Sequence, residues 1–375
     1  MPIALSPSSS QRWSWPLCVP RSLRPWLVLM LLSLALSGCS SLGPRTLKAD
    51  QADYARALGD AKKREILAMI VGLRYADAPA FLTVSQVIAG YTFTASATAV
   101  ANTLPDPGGP AAGVAGIASY SDHPTFTFTP TTGESYAKAY IHPLSPALIL
   151  PLADSGIPID LLLRIAVQSI GGLTNAAMLG GPTGNGSPGF FELLVVLRRL
   201  QLAGEVSIQY KAGPGNGQVS LALGLPRGTE LPETAADIKR VRELLKLPAG
   251  PAPYVIAYGN SAVGDRDIPI VTRSVLGILS DLGAEIEVLT ADVDSGATKP
   301  AVQLVGGETR PIVLIHAGKK IQGPVYSAVS YRGSRFWIDD ADFDSKYALT
   351  VVQDLMALSE ETDTSHAPVV TVPAN

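Results

Sequence analysis

The sequence predicts an α+β fold: an amphipathic N-terminal helix, a helical hairpin, a mixed or antiparallel sheet with β-hairpins, and a C-terminal helix. Two patterns support this prediction. Apolar residues recur at helical spacing over residues 50–75, 190–202 and 344–358. Threonine and phenylalanine alternate strictly over residues 125–129, which is typical of a half-buried strand.

The N-terminal part is predicted to open with the helix at 50–75. Pro79 ends it, because proline cannot continue a helix and favours extended geometry at the residue before it. Alternating apolar and small or hydroxyl residues then predict strands over 81–87 and 90–97. Residues 102–116 are rich in Pro, Gly and Ala, so we expect an exposed loop there.

The middle of the chain is predicted to be mostly helical. Residues 143–153 and 158–170 each begin near a proline and predict the helical hairpin, with a break at Ser155-Gly156. Another helix is predicted over 190–202. Two strands follow at 205–210 and 218–223, and the glycine-rich segment between them favours a β-hairpin.

The C-terminal region is predicted to mix both element types. We expect helices at 233–247, 272–282 and 344–358, strands at 254–258, 285–289 and 312–315, and a hairpin of 325–331 with 335–339. The apolar run 312–315 is typical of a strand covered on both faces. We therefore divide the chain into regions 50–230 and 231–360, followed by a disordered tail at 361–375 that has too little apolar content to order itself.

Residues 1–38 are predicted to form a lipoprotein signal peptide. Arginines precede an apolar run at 26–36 that is too short to span a bilayer but long enough for a secretory signal. The run ends in Leu36-Ser37-Gly38-Cys39, which resembles a bacterial lipobox. Cleavage is expected between Gly38 and Cys39, and Cys39 is the expected site of lipidation.

The membrane is therefore a predicted partner, reached through lipidated Cys39. Three acyl chains would make release slow, since two already give stable anchoring. Ser40 and Ser41 follow the cysteine, where an aspartate would retain a lipoprotein in the inner membrane. We expect the outer membrane, on its periplasmic face, with residues 39–49 as a tether to the body.

Composition narrows the possible functions. The formal net charge is -3 without a dense basic block, which argues against a nucleic-acid partner. The chain has 2 cysteines, Cys18 in the leader and Cys39 in the lipobox. The processed protein would thus have neither a disulfide nor a free thiol for catalysis or metal binding.

Four aspartates, Asp339, Asp340, Asp342 and Asp344, form the densest acidic cluster. The last three match the first ligand positions of a calcium loop, but Ser345 and Val351 replace the turn glycine and the closing glutamate. A second interpretation is that Asp342 or Asp344 caps the last helix. We favour the cap and predict no metal site.

Catalytic patterns are weak. The four histidines lack the spacing of a helical metal pair, and His316 is the one histidine placed where a strand could present a base. The glycine-rich segment 180–186 lacks the lysine of a phosphate-binding loop. We predict no catalytic residue and no cofactor.

Two residues are candidates for interaction. Arg74 precedes Asp77 at the end of the first helix, so it forms either a local ion pair or part of a recognition surface. In the last hairpin, Phe336 and Ile338 alternate with Trp337, which predicts the first two in the core and Trp337 exposed as a partner contact.

Three segments resemble an uncharacterised family of proteobacterial outer-membrane lipoproteins: 66–82, 158–162 and 331–346, the last containing Tyr-Arg-Gly and Phe-Trp-Ile-Asp-Asp. The resemblance spans nearly the whole processed chain. It implies a lipoprotein address, and because the family has no assigned activity, it implies no catalytic residues.

These observations leave three functional hypotheses. The first is a lipid-anchored, non-enzymatic structural or assembly protein with an envelope protein partner. The second is a periplasm-facing envelope hydrolase with a carboxylate pair near Asp339–Asp344. The third is a module that binds a small ligand or peptidoglycan in an apolar pocket.

Overall fold

The computed structural model describes residues 42–88, 91–102, 111–122, 125–176, 186–211, 218–224, 232–250, 253–262, 264–301 and 310–360. The chain divides into two units, 1–61 and 62–375, and the described part of the first is the helical segment 42–61. The described residues form an α+β fold, as predicted. The predicted leader, Cys39, the segment 177–185 and the tail 361–375 lie outside them.

Helix α1 spans Leu42–Arg74 and begins earlier than predicted, so the described part of the tether is helical. Pro44 is compatible with this start, because the first turn of a helix needs no proline N–H. The buried residues of its last turns include Ile66 and Ile70. The helix ends before Ala76, which has a φ of 61°. Among the described helices, none has the length and apolar character needed to cross a membrane.

Four strands form two antiparallel pairs, one nested within the other along the chain. Strands β1, Leu82–Ile88, and β4, Thr125–Pro130, pair with each other. Strands β2, Tyr91–Asn102, and β3, Ala111–Asp122, pair over their full length. The expected loop at 102–116 is therefore wrong for residues 111–116, whose small residues fit a strand opposite the equally small residues of β2.

Short helices follow the strands. They are α2, Gly133–Tyr136, extended by a π-helical turn at Ala137–Ile141; α3, Pro146–Ile149, extended by a 3₁₀ turn at Leu150–Ala153; and α4, Ile159–Ala166. The predicted single helix 158–170 is wrong beyond Ala166. Val167 has extended backbone angles and begins a strand, because residues 167–170 pair with a strand a hundred residues later.

A six-stranded sheet lies at the centre of the second unit. Its strands are β5, Val167–Ile170; β6, Leu173–Thr174; β7, Val206–Lys211; β8, Gln218–Leu223; β9, Tyr254–Tyr258; and β10, Asp267–Thr272. Their order is β6-β5-β10-β9-β8-β7, with only β9 and β10 parallel. Helices α5, Pro188–Leu202, and α6, Pro232–Leu244, pack against each other. Strand β10 was not predicted from the sequence. The helix predicted to begin at residue 272 begins instead after its N-cap, Ser274.

The remaining elements are α7, Val275–Glu285; α8, Thr290–Asp294; β11, His316–Gly318; β12, Val325–Tyr331; β13, Ser334–Asp339; and α9, Phe343–Ser359. The strands form an antiparallel sheet of order β11-β13-β12. Residues 285–289 and 312–315, both predicted as strands, belong to no strand. Glu285 is the last residue of α7, and the two segments contact each other, since the Glu287 N–H donates to the Ile315 carbonyl at 3.0 Å.

The core supports the predicted register of the last hairpin. Phe336 and Ile338 are both 0% exposed, as predicted. Arg332 and Gly333, with φ of 47° and 76°, form the two-residue turn that joins β12 to β13.

Candidate functional site

The acidic cluster caps a helix rather than forming an open carboxylate site. Asp342 is the N-cap of α9, and its carboxylate accepts hydrogen bonds from the Ser345 N–H at 3.1 Å and the Ser345 hydroxyl at 2.6 Å. The predicted cap is confirmed. Ser345 is 0% exposed and also accepts from the Leu314 N–H, so the cap fastens the segment before β11 to the helix.

Arg310 neutralises this end of the cluster. Its guanidinium donates to both carboxylate oxygens of Asp342 at 2.8 Å and to Asp344 at 2.9 Å. Burial acts to raise the pKa of Asp342, but the hydrogen bonds from Arg310 and Ser345 outweigh it and hold that pKa below its usual range. Asp342 therefore stays ionised as a cap and is unsuited to act as a general acid.

The other two aspartates also have partners. Asp340 pairs with Lys346 at 3.3 Å, and Asp339 accepts from the Trp337 indole N–H at 2.9 Å. Across the described segments, no group of three or more His, Cys, Asp or Glu side chains is placed to hold a metal ion.

His316 lies between two carboxylates on the three-stranded sheet. Its Nδ1 is 3.1 Å from Glu287 Oε1, and its Nε2 is 3.3 Å from Asp339 Oδ2. Only a doubly protonated imidazole donates from both nitrogens. Both ring nitrogens of His316 therefore lie next to carboxylates. A catalytic base that activates a nucleophile needs a hydroxyl or thiol at hydrogen-bond distance from its ring instead.

Trp337 is half-buried, not the exposed aromatic that the sequence predicted. Its ring centroid lies 5.5 Å from that of His316. A side chain at Gly318 would meet the indole at 3.2 Å, so the glycine leaves space for the ring. The predicted contact for a partner is largely occupied by intramolecular neighbours.

Both predicted roles of Arg74, a local ion pair with Asp77 and part of a recognition surface, are wrong. It is 3% exposed, which removes it from any recognition surface. Its guanidinium donates to the carbonyls of Ala284 at 3.0 Å and Lys299 at 2.6 Å instead of pairing with Asp77. Asp77 instead accepts from the Tyr331 hydroxyl. Arg74 is a structural brace between α1 and the C-terminal region.

A second buried arginine escaped the sequence analysis. Arg273 is 8% exposed, forms an ion pair with Asp281 at 2.7 Å, and donates to the Arg164, Ile165 and Ala176 carbonyls. It joins the end of β10 to α4 and to the middle of α7. No sequence pattern marks it, because the carbonyl groups that accept its hydrogen bonds lie about a hundred residues away.

The strand pair β2–β3, here called the ribbon, is a long two-stranded sheet without charged residues over most of its length. Residues 91–102 and 111–121 contain no Asp, Glu, Lys, Arg or Pro. Four of its residues, Thr94, Ser96, Ile117 and Ser119, are exposed, and the register places them on one face of the ribbon. Within the described segments, neither strand pairs with a third.

No protein-family model, no curated protein and no solved structure matches this chain.

Proposed function

We propose that this protein is a lipid-anchored, non-enzymatic structural or assembly component of the bacterial envelope, at the periplasmic face of the outer membrane. Cys39 is its anchor in this proposal, and an envelope protein is its partner. The lipobox-like segment and the resemblance to proteobacterial lipoproteins support the address.

The proposal of an assembly role rests on the ribbon. A single two-stranded ribbon is marginally stable in water, and three or more strands or a packed face are needed for independent stability. Its two strands of 12 residues each extend about 40 Å at the usual rise per residue. Such a length of open strand edge favours pairing with a further strand.

A hydrolase has less support. The carboxylates that would form its acid and base are held by Arg310, Lys346 and the cap of α9, and His316 faces carboxylates. A general acid requires a carboxyl whose pKa is raised towards neutrality, and that of Asp342 is lowered.

The assembly role is tested by shortening the ribbon. In the variant, Asn-Gly replaces residues 89–124 and joins Ile88 to Thr125, which are already paired. As a matched control, Asn-Gly replaces residues 212–217 between the paired residues Lys211 and Gln218 of the β7–β8 hairpin.

The size of the detergent-solubilised species is then measured by native electrophoresis of envelopes. The full chain and the control should migrate in a large complex, and the ribbon variant should leave it while keeping its acyl label and the helical signal in its far-UV circular dichroism. Co-migration of the ribbon variant with the full chain would contradict the assembly role.

The anchor is tested separately with Cys39→Ala. This substitution should block cleavage and acylation and leave an unlabelled precursor. Normal labelling of the variant by a fatty-acid probe would overturn the proposed address.

A further inference from the structure

Among the described strands, none pairs with the outer edge of β2 or of β3. In an antiparallel pair, about half of the residues of each strand direct their N–H and C=O groups away from the partner. Since β2 and β3 pair over their whole length, each presents such an outer edge along 12 residues. The described strands supply no third strand for either edge.

Two of the other sheets have a very short strand at one of their edges. The six-stranded sheet ends at one side in β6, which has 2 residues, and the three-stranded sheet ends in β11, which has 3. Very short edge strands, charges and prolines are the usual means by which proteins prevent unwanted strand pairing. The ribbon has long strands, and residues 91–102 and 111–121 contain neither charged residues nor proline. This composition favours pairing of the strand edges.

We infer that the ribbons of neighbouring copies of this chain pair edge to edge, with β3 of one copy beside β2 of the next. This inference rests on the assembly role proposed above and names the partner as a second copy. It follows from the number of edges: an extended peptide, or a two-fold dimer joined through one strand, would cover one edge and leave the other open. A head-to-tail arrangement of identical ribbons covers both.

The strand directions fit this arrangement. The two strands of the ribbon are antiparallel. In a head-to-tail arrangement all copies share one orientation, so β3 of one copy runs antiparallel to β2 of its neighbour. The intermolecular ladder therefore continues the pattern of the ribbon itself.

Disulfide trapping between differently tagged full-length chains tests the inference in intact envelopes. One chain carries Thr94→Cys or Ser96→Cys in β2, and the other carries Ile117→Cys or Ser119→Cys in β3. All four positions are exposed and share a face, and the four combinations sample more than one register. Chains without added cysteines give the baseline for Cys18 and Cys39.

After mild oxidation, at least one β2/β3 combination should yield a disulfide-linked dimer with both tags. Its amount should exceed by roughly tenfold that from Leu202→Cys with Tyr210→Cys, because pairing holds the thiols at a high effective concentration. Both control positions are exposed, at 71% and 53%, and lie off the ribbon.

Two results would overturn the inference. The first is the absence of two-tag dimers above the control in all four combinations, as expected if a lipid surface or another protein covers the ribbon. The second is cross-linking of β2 only to β2, which indicates a two-fold dimer. If the ribbon deletion still removes the chain from its complex, the assembly role stands and only the partner is wrong.

Discussion

Replacing Arg273 with methionine should destabilise the protein far more than the same change at an exposed arginine. Arg273 lies among the described core residues, and its guanidinium pairs with Asp281 at 2.7 Å. Burial lowers the pKa of Arg273, which Asp281 opposes. Methionine fills a similar volume but removes the ion pair between Arg273 and Asp281.

The expected loss of unfolding free energy depends on which groups lose a contact when Arg273 is replaced. Breaking a buried ion pair by removing one member costs about 3–5 kcal/mol of unfolding free energy. The Arg164 carbonyl keeps a hydrogen bond from the Asn175 side chain at 2.9 Å, so it is not left unsatisfied. Asp281 is 17% exposed and regains some solvent. We therefore expect a loss near the lower end of that range.

Urea unfolding of the full chain in detergent, followed by circular dichroism, measures this loss. Arg240→Met is the matched control, since Arg240 pairs with Glu192 while both are more than 40% exposed, and it should leave the urea midpoint nearly unchanged. Arg273→Met combined with Asp281→Leu should recover part of the loss, because the carboxylate that lost its ion pair with Arg273 is also removed. A cost for Arg273→Met no larger than that of the control would refute the reasoning.

Three further predictions concern the C-terminal region. Burial raises the pKa of Glu285, so the folded state disfavours the charged carboxylate, and stability falls as pH rises above the unfolded value of 4.5. The unfolding midpoint of Glu285→Gln, relative to that of the natural chain, should therefore increase when the pH is raised from about 4 to about 8. A difference between the two midpoints that does not change with pH would contradict this. Phe336→Ala should cost about 3–5 kcal/mol in urea unfolding, and Trp337→Ala clearly less, whereas the reverse order would place the strand register one residue off. Asp342→Ala should cost about 1–2 kcal/mol through the lost cap, whereas Asp344→Ala, at a side chain 74% exposed, should be nearly neutral in thermal melts; equal losses would argue against the cap.

Sequence patterns predicted the elements whose stability is local. The apolar positions of 190–202 and the alternation of the last hairpin give α5 and β12–β13 nearly at their predicted bounds. The errors fall where distant pairing decides. Residues 167–170 continue a helical pattern, but pairing with β10 makes them a strand. Residues 312–315 are apolar enough for a buried strand but find no strand partner in the described chain.

The same distinction holds for side chains. The cap at Asp342 was predictable, because the aspartate directly precedes an amphipathic helix. Arg74 was assigned a neighbour three residues away, yet its acceptors lie more than 200 residues along the chain. The two carboxylates around His316 also come from separate segments, 287 and 339. Spacing alone contains no information on such contacts.

The central claim is that both edges of the ribbon are paired in the assembled protein. Hydrogen–deuterium exchange of the full chain in solubilised envelope complexes tests it most directly, with peptides covering β2 and β3. Pairing predicts slow exchange for nearly all of these amides in the complex, and fast exchange for about half of them when the protein is dispersed to single copies. Equally fast exchange of the outward amides in the complex and in single copies would contradict the claim.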